Sequence, residues 1–211
     1  MTEIAKDTHL LAGSDGHLRC RWCVATAEYQ GYHDHEWGYP VADDVRLFEK
    51  LCLEGFQAGL SWRTILAKRE NFRRAFMGFD FNQLTGFDHT DVMRLLQDPG
   101  IVRHRGKIEA VLHNAHRAQE LVAEAGSLAA FVWQYEPLKV TSPADALPAA
   151  SAESMLLSKA LKKRGWKYVG PTTIYAFMQA MGMVNDHYSG CQMWQQVDAA
   201  RRNFVRPAAS N

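Results

Sequence analysis

The sequence predicts an all-α protein, and three observations carry that prediction. Apolar residues recur at spacings of three and four along most of the 211 residues. No two segments alternate apolar and polar residues as paired strands would. Cap residues, glycines and prolines divide the apolar segments at helix-length intervals.

Taken in order, residues 1–18 read as a flexible polar leader ended by Ser14-Asp15-Gly16, residues 19–202 as the helical domain and 203–211 as a flexible tail. Asp43 or Asp44 caps a helix whose Leu47, Phe48, Leu51 and Cys52 share one face, and Gly55 or Gly59 ends it. Trp62, Ile65 and Leu66 open the next helix. Residues 88–97 hold a short helix, and 105–125 a long one bearing Ile108, Val111, Leu112, Ala115 and Leu121. Ser127 caps a segment through 135. Pro137, Pro143 and Pro148 mark a connector, and residues 152–163 and 171–181 supply the final helices.

Composition narrows the class without naming a function. With 47% hydrophobic and 22% charged residues the chain reads as an ordinary soluble globule. A net charge of +1 gives no overall attraction to polyanions, so a nucleic-acid site needs local clustering of the 24 Lys and Arg. Residues 1–16 carry acids and no continuous apolar run, which argues against a secretory signal, and no stretch approaches eighteen apolar residues. A cytosolic location is expected, where the four cysteines serve as thiols or metal ligands rather than disulfides.

Cys20 and His33 have twelve residues between them; His187 and Cys191, near the other end, have three. Two thiolates and two imidazoles complete a tetrahedral set for zinc and leave no position open for substrate. Cys23 offers an equally good upstream partner for Cys20, and buried, metal-free side chains are the plain alternative. Two turns are basic. Residues 165–173 place Gly165 and Gly170 around a short apolar segment, with Pro171 at the first position of the following helix and Lys162, Lys163, Arg164 and Lys167 nearby. Such a helix start directs backbone N–H groups outward, toward a phosphate. Residues 99–107 form the second turn, with Arg103, Arg105 and Lys107. Solvated surface charge is the competing explanation for each.

Trp22, Tyr29, Tyr32, Trp37 and Tyr39 fall within eighteen residues, with Trp62 beyond them. Beside His33, Asp34, His35 and Glu36 they suit a walled pocket, with about half of the rings serving only the core. Glu54 lies in a stretch of apolar and small residues, where a carboxylate either faces a pocket or pairs with a cation such as Arg63. The pocket is the favoured reading.

Several of these stretches together resemble the bacterial 3-methyladenine DNA glycosylase I family of the helix-hairpin-helix glycosylase superfamily. They are Tyr32-His33-Asp34-His35-Glu36-Trp37-Gly38, Leu53-Glu54-Gly55 with Gln57-Ala58-Gly59-Leu60-Ser61-Trp62, Arg103-His104-Arg105-Gly106-Lys107-Ile108, and Val184-Asn185-Asp186-His187 with Gly190-Cys191. The resemblance implies a compact helical fold with a helix-hairpin-helix at 165–173 and one structural zinc ion on Cys20, His33, His187 and Cys191, joining the N- and C-terminal regions and leaving Cys23 aside. It implies a base pocket of Trp22, Tyr29, Tyr32 and Trp62 with Glu54 as the active-site acid. Leu60 becomes a wedge, and Arg164, Lys167, Gly170 and Thr172 contact DNA.

Thr172 stands where bifunctional relatives carry a Schiff-base lysine, so strand cleavage is not expected. Asn185 aligns with the superfamily's usual aspartate, with Asp186 next to it. The implied activity is monofunctional: flipping and hydrolytic excision of 3-methyladenine from alkylated double-stranded DNA, the first step of base excision repair, by a cytoplasmic bacterial monomer with no membrane partner. Alternatives are a non-catalytic zinc-stabilised DNA-binding module and a zinc hydrolase built on His33, His35 and Glu36.

Overall fold

A computed structural model describes residues 9–138 and 147–208. Eleven α-helices are assigned among them, preceded by one small hairpin. The helices are α1 (Ala27–His35), α2 (Asp44–Gln57), α3 (Trp62–Leu66), α4 (Arg69–Ala75), α5 (Phe81–Leu84) and α6 (His89–Gln97), then α7 (Arg105–Ala125), α8 (Leu128–Val132), α9 (Ala152–Lys163), α10 (Pro171–Ala180) and α11 (Trp194–Asn203). No helix among the described residues is long and apolar enough to cross a membrane.

The centre of the fold is α2, whose residues from Leu47 to Phe56 are all buried. A helix buried on every side needs neighbours on every side, and α3, α7, α8 and α10 all pack against it. Both acids proposed for its cap are used. Asp43 accepts from the Arg46 N–H at 2.8 Å and caps α2, while Asp44 accepts from the N–H groups of Leu128 and Ala129 at 3.0 and 2.8 Å and so caps α8. At the other end of α2, the Lys107 ammonium donates to the carbonyls of Phe56 and Ala58 at 2.8 and 2.5 Å. Lys107 therefore caps a helix instead of joining a phosphate grip, which corrects the expectation for the second basic turn at that residue.

Helices α9 and α10 pack on each other across the short turn that joins them, with α10 also packed on α2. Gly165 takes φ +82° and Tyr168 φ +56° in that turn. Asn114 of α7 fixes it from outside, accepting from the Lys167 N–H at 2.9 Å and donating to the Lys167 carbonyl at 3.0 Å. Gly55 lets the turn sit down on α2: a Cβ there would lie 3.1 Å from the Tyr168 Cβ. Pro171 occupies the first turn of α10, as its spacing from Gly170 predicts.

Strands are one departure from the sequence reading. β1 (Leu10–Ala12) pairs antiparallel with β2 (Leu18–Cys20), with Leu10 opposite Cys20. Three residues per strand are too few for an alternating pattern to register. The hairpin covers residues the sequence assigned to a leader, and it is tied to the far end of the chain by the Gln192 N–H, which donates to the Leu18 carbonyl at 2.9 Å. Helices α1, α4, α5 and α11 were also not anticipated. α11 buries only Val197 and Arg201, the latter donating to the carbonyls of Gly182 and Met183 at 2.7 and 2.9 Å. A helix that buries a single apolar residue shows little apolar period. Of the predicted connector prolines, Pro143 lies outside the described residues.

Candidate active site

An aromatic slot forms where α1, α2, α3 and α10 meet. Thr26 caps α1, accepting from the Tyr29 N–H at 3.2 Å, and the helix then projects Tyr29 and Tyr32 three residues apart. Trp22 comes from the short 3-10 turn Arg21–Cys23, and Trp62 opens α3 under the Ser61 cap. Helix α2 contributes Lys50, Glu54 and Gln57 at i, i+4 and i+7, and α10 closes the slot with Ala176 and Gln179. Trp22 packs against Tyr29 and Trp37 with ring centroids 4.9 and 5.0 Å apart; Tyr32 and Trp62 lie 5.4 Å apart. The cavity has a volume of about 220 Å³ and is open on one side. Its size suits a single ring system more than a drug-sized ligand.

Glu54 is 5% exposed and lines this cavity, as its apolar sequence context predicts. It is also paired, though with Lys50 one helical turn away and not with Arg63. The Lys50 ammonium lies 2.7 Å from a Glu54 carboxylate oxygen, donates to the Tyr32 hydroxyl at 3.0 Å, and sits 3.2 Å from the centroid of the Trp62 ring. Burial pushes the Tyr32 phenol well above its ordinary value, and the Glu54 charge adds to that. Burial lowers the Lys50 ammonium against the opposing pull of Glu54. Sequence reasoning passed over Lys50. The available signal was its i, i+4 spacing from Glu54.

Cys20, His33, His187 and Cys191 converge in the interior, each buried, with one donor atom apiece lying within 4.8 Å of all the others. Nε2 of His33 is 3.1 Å from Nδ1 of His187 and 3.5 Å from Sγ of Cys191; Nδ1 of His187 is 3.6 Å from Sγ of Cys191 and 3.9 Å from Sγ of Cys20. Zn–N and Zn–S bonds of ordinary length place the corners of a tetrahedron about 3.3–3.8 Å apart, so this cluster can bind a metal and its donors suit zinc. Outer contacts aim both imidazoles. Asp34 lies 2.7 Å from Nδ1 of His33 and is itself held by Arg19, while the Trp37 carbonyl is 3.1 Å from Nε2 of His187. Gly38, at φ +88°, is needed beside them, since a Cβ would lie 3.2 Å from the His187 ring nitrogen.

Contact with Cys191 and then burial raise the Cys20 thiol, whereas hydrogen bonds from Cys20, His187 and His33 outweigh burial and lower that of Cys191. Burial opposes charge on His33, yet contacts with Cys191, Cys23 and Asp34 push it up to about 10. Cys23 is buried nearby but lies outside the four-donor group. The trio of His33, His35 and Glu36 does not form a site. His35 is exposed, and the Glu36 carboxylate is taken by Arg69 at 2.6 and 2.8 Å.

The residues expected to contact DNA are placed unequally. Leu60 is 43% exposed on the loop between α2 and α3, just after Gly59. Lys167 and Thr172 are exposed, and Gly170 is the N-terminal flank of α10, with no side chain capping that end. Arg164 is engaged elsewhere: its guanidinium pairs with Glu124 and lies 4.7 Å over the Phe131 ring. Asn185 is structural, donating to the Trp194 carbonyl at 3.0 Å and accepting from the His187 N–H at 3.3 Å. Asp186 accepts from the Tyr175 hydroxyl at 2.8 Å and from Gln179 at 2.7 Å. It borders a larger cavity of about 620 Å³, shared with Tyr175, Asn185 and Arg201, whose polar groups are satisfied by one another and by backbone.

Comparison with known proteins places the chain in a family. Residues 22–195 match the family model described as methyladenine glycosylase. The chain is 47% identical over 178 residues to DNA-3-methyladenine glycosylase 1 of Escherichia coli, covering 82% of this chain and 95% of that one. It superimposes on a crystal structure of 3-methyladenine DNA glycosylase I with a TM-score of 0.79 at 48% identity, covering 82% of this chain and 98% of the other. A Staphylococcus aureus 3-methyladenine DNA glycosylase I, whose structure concerns recognition of 3-methyladenine, gives a TM-score of 0.79 at 34% identity over 83% of this chain and 96% of that one.

Proposed function

Because the chain belongs to the methyladenine glycosylase family and excises 3-methyladenine from alkylated DNA, we propose a division of labour among its residues. The aromatic slot receives a nucleotide extruded from the duplex. Trp62 and Trp22 stack on the base, Tyr29 and Tyr32 complete the wall, and Glu54 accepts from the exocyclic amine. The observation that carries this reading is a carboxylate buried among aromatic rings beside a cavity the size of one base.

An adenine methylated at N3 while still attached to its sugar is a cation. When the glycosidic bond breaks, its electron pair goes to the base, which leaves neutral without being protonated, and water adds to the sugar carbon with loss of a proton. The residues here therefore have less to do in bond making than in capture and discrimination. Extrusion costs a few kcal/mol, less for a poorly paired lesion. Stacking of a cation on an indole contributes about 1–2 kcal/mol that neutral adenine forgoes. Glu54 adds attraction for positive charge in a desolvated place.

The α9–turn–α10 pair serves as the helix-hairpin-helix that grips the DNA backbone through Lys167 and the open N–H groups following Gly170, while Leu60 fills the space the base vacates. Thr172, in the first turn of α10, provides no amine, consistent with a monofunctional enzyme. A zinc ion on Cys20, His33, His187 and Cys191 would stabilise the fold and supply no open coordination position. The enzyme acts as a cytoplasmic monomer. Release of 3-methyladenine from alkylated duplex DNA by the wild-type protein, compared with Glu54→Gln, tests the assignment; a variant that releases the base at the wild-type rate and with wild-type selectivity would remove Glu54 from it.

A further inference from the structure

Three of the groups assigned above to a cationic base, Glu54, Tyr32 and Trp62, are already touching a cation. The Lys50 ammonium holds the Glu54 carboxylate at 2.7 Å and the Tyr32 hydroxyl at 3.0 Å, and lies over the Trp62 ring at 3.2 Å and the Tyr32 ring at 5.3 Å. We infer that Lys50 is a specificity-determining residue of the slot, a resident ammonium with which the positively charged base must exchange. The inference rests on the slot being the base site.

Two consequences follow from charge alone. With Lys50 in place the Glu54 charge is balanced, so an arriving cation gains little from the carboxylate and meets like charge a few ångströms from the indole face. Entry of the base requires the ammonium to withdraw or to lose its proton. Lys50 and Trp62 also line a second, smaller cleft with Glu36, Arg46, Glu49 and Arg69, which gives the side chain another direction in which to lie. The groups bearing on its charge are Glu54 on its own helix, Tyr32 and Glu36 at α1, and Arg69 on α4, with burial favouring the neutral amine. Once the glycosidic bond is broken the base is neutral, and the ammonium regains Glu54 and the Trp62 face. That return drives product out of the slot.

Equilibrium binding of three probes tests this: 3,9-dimethyladeninium, a permanent cation; 9-methyladenine, its neutral counterpart; and the product 3-methyladenine. Lys50→Met and Lys50→Gln, both without charge, should raise the preference for cation over neutral probe by about tenfold or more and flatten the rise of cation affinity with pH expected for wild type. Both should also bind 3-methyladenine more tightly. Lys50→Arg, which keeps the charge, should hold the wild-type ratio. An unchanged ratio in folded Lys50→Gln, or the same shift in Lys50→Arg, would make Lys50 a mere counter-ion or a packing residue and overturn the inference. Failure of wild type to bind any of the three would instead remove the base slot itself, and the inference with it.

Discussion

Lys50 and Glu54 form a buried ion pair one turn apart on α2, 2.7 Å from nitrogen to oxygen, with side-chain exposures of 7% and 5%. A pair so far from water is held less by its own attraction than by the neighbours that satisfy it, here the Tyr32 hydroxyl and the Trp62 face. Removing one member strands the other. Glu54→Gln is therefore expected to lower unfolding stability by a few kcal/mol, at most the ~3–5 kcal/mol of a broken buried pair because the amide oxygen can still accept from Lys50. It should also narrow the preference for 3-methyladenine over adenine. Denaturant unfolding and base-release assays on the same preparation read both effects; wild-type values in each would contradict the role given to the carboxylate.

Loss of the four-donor cluster should be felt in stability before activity. Cys191→Ala, or a strong chelator, releases the hold between β2, α1 and the segment before α11. Taking the loss as ~3 kcal/mol, Tm should fall by about 6–12 °C for a chain of this length. Turnover per folded molecule well below that temperature should stay close to wild type. Metal analysis should give one zinc per chain, lost in the variant. Turnover abolished with Tm unmoved would point to a metal at the chemistry.

The hairpin turn contains two basic residues in different circumstances. Lys167 is exposed with its backbone clamped by Asn114, whereas the Arg164 guanidinium is taken by Glu124. Lys167→Ala should reduce the slope of log affinity for DNA against log salt by about one. Arg164→Ala should leave that slope alone. Equal slope changes for the two would mean that the Glu124 pair opens on DNA.

Acid stability offers a separate check through Glu36. Burial alone would raise its carboxyl, but the Arg69 guanidinium outweighs this and holds it below the ordinary 4.5. A carboxylate depressed in the folded state binds fewer protons than in the unfolded chain, so its contribution is complete above about 4.5 and is lost as pH falls through the depressed value. Glu36→Gln should make stability below that pH fall less steeply while costing stability near neutrality. Chemical unfolding across the acid limb measures it, and an unaltered acid limb would show the pair to be unimportant.

Much of this molecule was readable in one dimension. Helices α2, α7, α9 and α10 bury a stripe or more of their surface, and burial of a helix face writes a period into the residues. Glu54 drew notice because an acid among apolar residues needs a reason, and Cys20, His33, His187 and Cys191 because few residue types bind soft metals. Their convergence in space was expected through family resemblance, and the fold brings the four donors together. What could not be read was partnership. Lys50, Lys107 and Arg164 are the same kind of residue on paper, a long cation in a basic or helical context, yet one faces the slot, one caps α2 and one rests on Glu124. The strands β1 and β2 and the helix α11 escaped for a related reason: they are held by a few long-range hydrogen bonds, which leave no period along the chain. Chain pattern records which side of an element is buried; which charge meets which other charge depends on distances that exist after the helices have packed.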